Sequence, residues 1–181
     1  MSPGRPMDAT TYEPKSLEER LDRMESADAI RRLVARYSNI VDVSDVSQLG
    51  ALFVEDVRTS HVTESGATEV RAGREALQNW FASTKQCGLP REHFIGNHTI
   101  DFTGRDTATG ILYGMTSAAT AEGPWTLTGL KYLDKYVREA GEWLFRSRRF
   151  VVLYVADLKL RPGPFEGWGA PRSAEVMGRQ G

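Results

Sequence analysis

The chain has 181 residues, 40% hydrophobic and 26% charged, the proportions of a single globular domain large enough to bury a real core. Its 23 Lys and Arg stand against 24 Asp and Glu, so no net field recruits nucleic acid or an anionic membrane. A single cysteine, Cys87, excludes an intrachain disulfide, and no apolar run approaches the roughly 18 residues of a membrane span.

Residues 1–15 hold three prolines and read as a loose arm. The opening Met-Ser-Pro-Gly-Arg-Pro-Met lacks the apolar core of a signal peptide, and the expectation is a cytoplasmic protein. Ser16-Leu17-Glu18-Glu19 reads as a capping box. Leu17, Leu21 and Met24 then lead a helical stripe towards Ile30, with a break expected near Ser26. Ile30, Leu33, Val34, Tyr37, Ile40 and Val41 recur at helical spacing and predict a buried face. Tyr37 brings to that face a hydroxyl that needs a partner. Asp42 falls at the negative end of the helix dipole, where a carboxylate is out of place; it is either solvated or held for chemistry. Asp45, with Gln48 three residues on, reads as the cap of a short second helix carrying Val46, Leu49, Leu52 and Phe53 and closed by Glu55-Asp56. Residues 57–62 read as a strand, and 73–85 as a third helix with Leu77, Trp80, Phe81 and Thr84 inside.

From residue 92 the period changes to two. Strands are predicted over 93–102, 107–121, 125–138 and 142–157, joined by short turns, as an antiparallel meander. Helices followed by long strands form an α+β pattern, here one domain over 16–157 with an irregular tail over 158–181.

No Gly-rich phosphate loop, nucleophile elbow, Cys-x-x-Cys or His-Glu-x-x-His run is present, and three histidines make a histidine-rich metal site an unlikely design, so no metal is expected. General acid–base chemistry remains. By simple alternation His93 shares a strand face with Ile95 and Asn97, and His98 lies on the opposite face with Phe94, Ile100 and Phe102. His61, in a polar strand, is the weakest candidate, and Cys87 has no basic neighbour to activate it. Tyr113, Trp125, Tyr132, Tyr136, Trp143, Phe145 and Tyr154 either line an apolar cavity or form an ordinary sheet core. Arg146, Arg148 and Arg149 read most simply as a solvated or ion-paired face.

The run from Ala29-Ile30-Arg31 through Ala35-Arg36-Tyr37 to Val41-Asp42 resembles the first helix of SnoaL-like proteins. Leu52-Phe53-Val54-Glu55-Asp56-Val57, Gly73-Arg74-Glu75-Ala76-Leu77, the His93 to Asn97 stretch, Tyr132-Leu133-Asp134-Lys135-Tyr136 and Gly141-Glu142-Trp143 continue the likeness over about residues 16–156. These proteins belong to the nuclear transport factor 2-like superfamily. The resemblance implies a cystatin-like cone, a curved and mostly antiparallel sheet with three N-terminal helices closing one side. The group that includes scytalone dehydratase and bile-acid 7α-dehydratase has an Asp near the end of the first helix and a His opening the first long strand. Asp42 and His93 match those positions, and Tyr37 matches a Tyr of the bile-acid enzyme. Thr116 and Val152 stand where that enzyme carries an acidic residue and an Arg, so its substrate is not implied here. The Cys and Lys positions of the related lindane dehydrochlorinase are also missing.

The resemblance implies a cofactor-independent lyase or dehydratase acting on a hydrophobic small molecule, with polycyclic compounds among the expected substrates. His93 is the expected base, Asp42 its partner and Tyr37 a hydrogen-bond donor. Asn97, Tyr113, Tyr132, Phe53 and Trp125 are the expected substrate-binding residues. Three alternatives stand beside it: an isomerase or polyketide cyclase with Asp42 as base, a non-catalytic binding protein, and a structural subunit. A homodimer or homotrimer is implied, with neither nucleic acid nor membrane as a partner. Phe165 and Trp168 mark the tail as a possible lid over the cavity mouth.

Overall fold

The computed structural model describes residues 12–62, 67–83, 91–119 and 125–159. Thr84, Cys87, the end of the predicted strand at 120–121, and Phe165 and Trp168 of the tail lie outside them. The elements in order are α1 (Leu17–Asp42), α2 (Val46–Leu49), a 3₁₀ turn (Gly50–Leu52), β1 (Phe53–Val62), β2 (Thr68–Ala72), α3 (Arg74–Ser83), β3 (Arg91–Phe102), β4 (Thr107–Ala118), β5 (Trp125–Glu139) and β6 (Glu142–Leu158). One six-stranded sheet has the order β2-β1-β6-β5-β4-β3, antiparallel throughout except where β1 runs parallel to β6. The meander β3 to β6 stands as expected. The hairpin β1–β2 was not foreseen, because β2 is short, polar and mostly exposed.

Helix α1 is continuous through Ser26 rather than broken there. Ser26 is buried and takes a hydrogen bond from Arg138, whose guanidinium also pairs with Asp22 of the helix and Asp106 of the β3–β4 turn. The Ser16 hydroxyl accepts from the Glu19 backbone N–H at 3.1 Å, while the Glu19 carboxylate takes the N–H of Lys15. Leu17, Leu21 and Met24 are exposed, so the buried stripe begins only at Ser26 and Ile30. Asp45 does not cap α2 through its backbone amides; its carboxylate binds the side chains of Ser47 and Gln48. The helical turn ends at Leu52, and β1 starts at Phe53, ahead of the expected residue 57. Residues ahead of α1 are tied down from Tyr12, whose N–H donates to the Phe102 carbonyl at 2.9 Å.

The core lies between α1, α3 and the concave face of the sheet, with Ile30, Phe53, Val57, Leu112, Leu130 and Phe145 fully buried. Each such side chain contributes about 1.5–3 kcal/mol through removal from water. Bulges decide which strand residues reach this face, and two of them bear on the site. In β3 the pairing shifts by one residue between Ile95 and His98, and in β6 it shifts between Phe145 and Ser147. An extra residue in one strand reverses the inward and outward sets beyond it. Among the described residues no helix is long and apolar enough to cross a membrane.

Candidate active site

A cavity of about 260 Å³ opens between α1, α3 and the concave face. Its apolar surface comes from Val41, Phe53, Leu77, Trp80, Phe81 and Phe150. Tyr37 crosses its floor, buried and set edge-on to the rings of Phe53, Phe81, His93, Tyr132 and Phe145 at 5.9–6.5 Å. Hydroxyls line the sheet wall at Thr59, Ser60, Thr116, Thr126 and Thr128.

Helix α1 ends against the start of β3, and there Asp42 meets His93. Oδ1 of Asp42 lies 2.6 Å from Nδ1 of His93, and Oδ2 accepts the His93 backbone N–H at 3.0 Å. Both side chains are sheltered, His93 at 8% exposure and Asp42 at 17%. A carboxylate only accepts, so Nδ1 carries a proton, and in the neutral ring Nε2 is the nitrogen with the lone pair. His93 lines the cavity while Asp42 stands behind it. Helical periodicity alone placed Asp42 towards solvent; the helix terminates so that its side chain reaches across to β3 instead.

Burial pushes the Tyr37 phenol up from its ordinary value of 10, against the pull of the Arg148 charge, and burial likewise raises Tyr132 well above its own. Both hydroxyls therefore remain protonated donors at neutral pH. Of the arginines expected on a solvated or ion-paired face, Arg148 is ion-paired, but it is buried. The β6 bulge turns it inward, where it is 4% exposed and forms a bidentate pair with Asp134 at 2.7 and 2.9 Å. Its guanidinium lies 4.1–4.2 Å from the ring centres of Tyr37, Tyr132 and Phe145. Burial disfavours that charge, but the Asp134 carboxylate outweighs it and holds Arg148 protonated. Arg146 pairs with Asp56 on the exposed side, and Arg149 is exposed.

The network continues behind the floor. Tyr136 donates to Asp134 at 2.8 Å, and the His98 ring nitrogen Nε2 lies 3.1 Å from the Tyr136 hydroxyl oxygen. The hydroxyl proton is committed to Asp134, so Nε2–H of His98 is the donor. Gly110 makes room for this contact, since a Cβ there would come within 2.7 Å of the Tyr136 ring and 3.0 Å of His98 Nε2. The β3 bulge thus brings His98 to the inward face with His93, correcting the alternation expected from sequence.

Of the expected substrate-binding residues, Tyr132 and Phe53 line the cavity. Asn97 is exposed at the bulge, and Tyr113 is 46% exposed on the convex face; neither reaches the cavity. Trp125 is half-buried and outside the lining, where Thr126 and Thr128 take the inward positions. His61, weighed lowest on sequence, does line the cavity, accepting from Arg71 Nη1 at 2.9 Å and lying beside Trp80. Among the described residues no three His, Cys, Asp or Glu side chains group as metal ligands.

Residues 22–149 match the sequence profile of the SnoaL-like domain. None of the curated proteins matches the chain. Similar solved structures include a candidate scytalone dehydratase from Novosphingobium aromaticivorans DSM 12444, at TM-score 0.67 and 23% identity over 82% of this chain and 98% of that one. A hexachlorocyclohexane dehydrochlorinase from Novosphingobium barchaimii LL02 superposes at TM-score 0.69 with 20% identity, over 83% of this chain and 98% of the other. A nuclear transport factor 2-like protein with a cystatin-like fold, from Novosphingobium aromaticivorans, gives 0.63 and 24% over 76% and 88%. At these identities the likeness is one of fold, a curved sheet backed by helices.

Proposed function

The chain belongs to the SnoaL-like domain family, and we propose that within it this protein is a cofactor-independent lyase, a dehydratase that uses His93 as its base. The observation that carries this reading is the division of labour between the two dyad residues. Both oxygens of Asp42 are engaged by His93, and His93 alone of the pair lines the cavity. Asp42 orients the imidazole and stabilises the imidazolium. Nε2 takes a proton from a carbon next to a carbonyl, the electron pair forms the new double bond, and hydroxide leaves from the neighbouring carbon. The imidazolium returns its proton to the departing hydroxide, which leaves as water. Tyr37 donates a hydrogen bond to the oxygen on which negative charge develops.

The same observation weighs against the isomerase or cyclase alternative with Asp42 as base, since both Asp42 oxygens are turned to His93 and Asp42 does not line the cavity. The cavity volume of about 260 Å³ lies at the low end of small-molecule sites, about 300–1,000 Å³, and favours one- or two-ring substrates over polycyclic ones. A homo-oligomer is also proposed. Phe94, Met115, Gly129 and Tyr154 form a register row across the convex face, with the three side chains 38–67% exposed, an apolar band suited to a second copy of the chain.

The test is turnover of a panel of small β-hydroxycarbonyl compounds. His93→Ala should lower kcat by about 10²–10⁴-fold with the fold retained, and Asp42→Asn should do less damage than His93→Gln. The reverse ranking would hand the base to Asp42, and a wild-type protein that binds ligands without converting them would make this a binding protein.

A further inference from the structure

One register row of the sheet carries charge that the dyad does not use. Arg71 of β2 pairs with Thr59 of β1, and Thr59 pairs with Arg148 of β6, so the backbone positions of an Arg, a Thr and an Arg are aligned on three adjacent strands. Neighbouring strands lie about 4.8 Å apart, and all three residues line the cavity. Two atoms in this row are buried without a hydrogen-bond partner among the described residues, the Thr59 hydroxyl oxygen and Nη1 of Arg148. Buried polar atoms are normally paired, and these two belong to residues that line one cavity, where a ligand oxygen would supply the missing partner.

The charge pattern says which kind of oxygen. Three guanidinium-bearing residues, Arg71, Arg91 and Arg148, line the cavity, and among the described residues no Asp or Glu does. The carboxylates stand behind them: Asp134 beneath Arg148, Asp42 behind His93, and Glu69, half-exposed, outside Arg71. A low-dielectric cavity walled by donors of one sign concentrates their field on whatever enters. We propose that the row Arg71–Thr59–Arg148 is an anion subsite and that the substrate is an organic acid, an apolar ring system ending in a carboxylate held there. This rests on the lyase reading only for the word substrate; the subsite itself is independent of the dyad. Arg71 also explains its own placement, stacked 4.0 Å from the Trp80 ring so that its guanidinium plane is fixed at the cavity wall.

The experiment is titration calorimetry of the full chain with 2-naphthoate and with uncharged 2-naphthamide, at low and at physiological salt. Naphthoate should bind at least about tenfold more tightly than the amide, the discrimination a charge-assisted hydrogen bond supplies, and its affinity should fall as salt rises. Thr59→Val removes only an unpaired hydroxyl, so it should leave the thermal midpoint unchanged or higher while weakening naphthoate about fivefold or more. Arg71→Gln should weaken it likewise, with naphthamide within about twofold in both variants. Equal affinity for the two probes, no saturable naphthoate binding, or unchanged affinity in both variants would overturn the subsite. His93→Ala should keep naphthoate affinity. If His93→Ala loses it while Thr59→Val keeps it, the anion sits at the dyad and the subsite is refuted, with the lyase reading intact.

Discussion

Removing Asp134 should be among the most destabilising single changes in this protein. Its side chain has no solvent exposure, and it accepts three hydrogen bonds, two from Arg148 and one from Tyr136. Asp134→Leu leaves the Arg148 guanidinium buried among Tyr37, Tyr132 and Phe145 with no counter-charge. Breaking a buried pair in this way costs about 3–5 kcal/mol, and a domain of this size loses about 2–4 °C in Tm per kcal/mol. The double variant Asp134→Leu/Arg148→Met removes the orphaned charge and keeps a polarizable chain against the three rings, so it should recover at least half of the loss. Urea unfolding of the wild type, both single variants and the double variant, analysed as a cycle, measures the coupling. A cost below about 1 kcal/mol for Asp134→Leu, or a double variant worse than either single, would refute the idea that this pair is a matched buried unit.

The remaining predictions concern pH and assembly. Burial, the largest cause, lowers the pKa of both His98 and His61 from the ordinary 6.5, so the folded state prefers them neutral. The unfolded chain then binds protons first, and stability present above about pH 6.5 should be lost as the pH falls through the folded values. His98→Gln should flatten that slope in urea midpoints measured from pH 7.5 to 5, and an unchanged slope would remove His98 from the account. Asp22, held below its ordinary 3.8 chiefly by its hydrogen bonds from Arg138, loses its contribution only in a lower window, as pH falls through its folded value. On the convex face, Phe94→Asp should shift the protein to a smaller species in light scattering while His93-dependent turnover persists; unchanged mass would exclude that face as the interface.

Much of the architecture was legible in sequence because period and burial agree. The stripe from Ile30 to Val41 is buried as its spacing predicts, and the four long strands form the expected meander. The misplacements trace to two extra residues. The bulge between Ile95 and His98 reverses the inward set of β3, which moves His98 inside and leaves Asn97 out. The bulge near Arg146 turns Arg148 into the core, where three consecutive-looking arginines had suggested a solvated or ion-paired face. A bulge leaves no mark in composition, but Asp134 does: a carboxylate between Tyr132 and Tyr136 on a buried face needs a cation, and Arg148 stands opposite it in register. Tyr113 was misjudged for a different reason, since an aromatic residue suits either face and Leu112 takes the core position. The anion row was invisible from sequence because it depends on the β1–β2 hairpin and on the parallel pairing of β1 with β6. The Asp42–His93 contact was reachable only through the family pattern, as helical periodicity pointed Asp42 away from it.

The central claim is that Asp42 fixes the tautomer of His93 and leaves Nε2 as the base. Nitrogen-15 NMR of the His93 ring tests it directly, because protonated and lone-pair nitrogens have separate signatures. The account predicts that the neutral ring carries its proton on Nδ1, and that this preference is lost in Asp42→Asn. A proton on Nε2 of the neutral ring in the wild type, or the same tautomer with and without the Asp42 carboxylate, would contradict it.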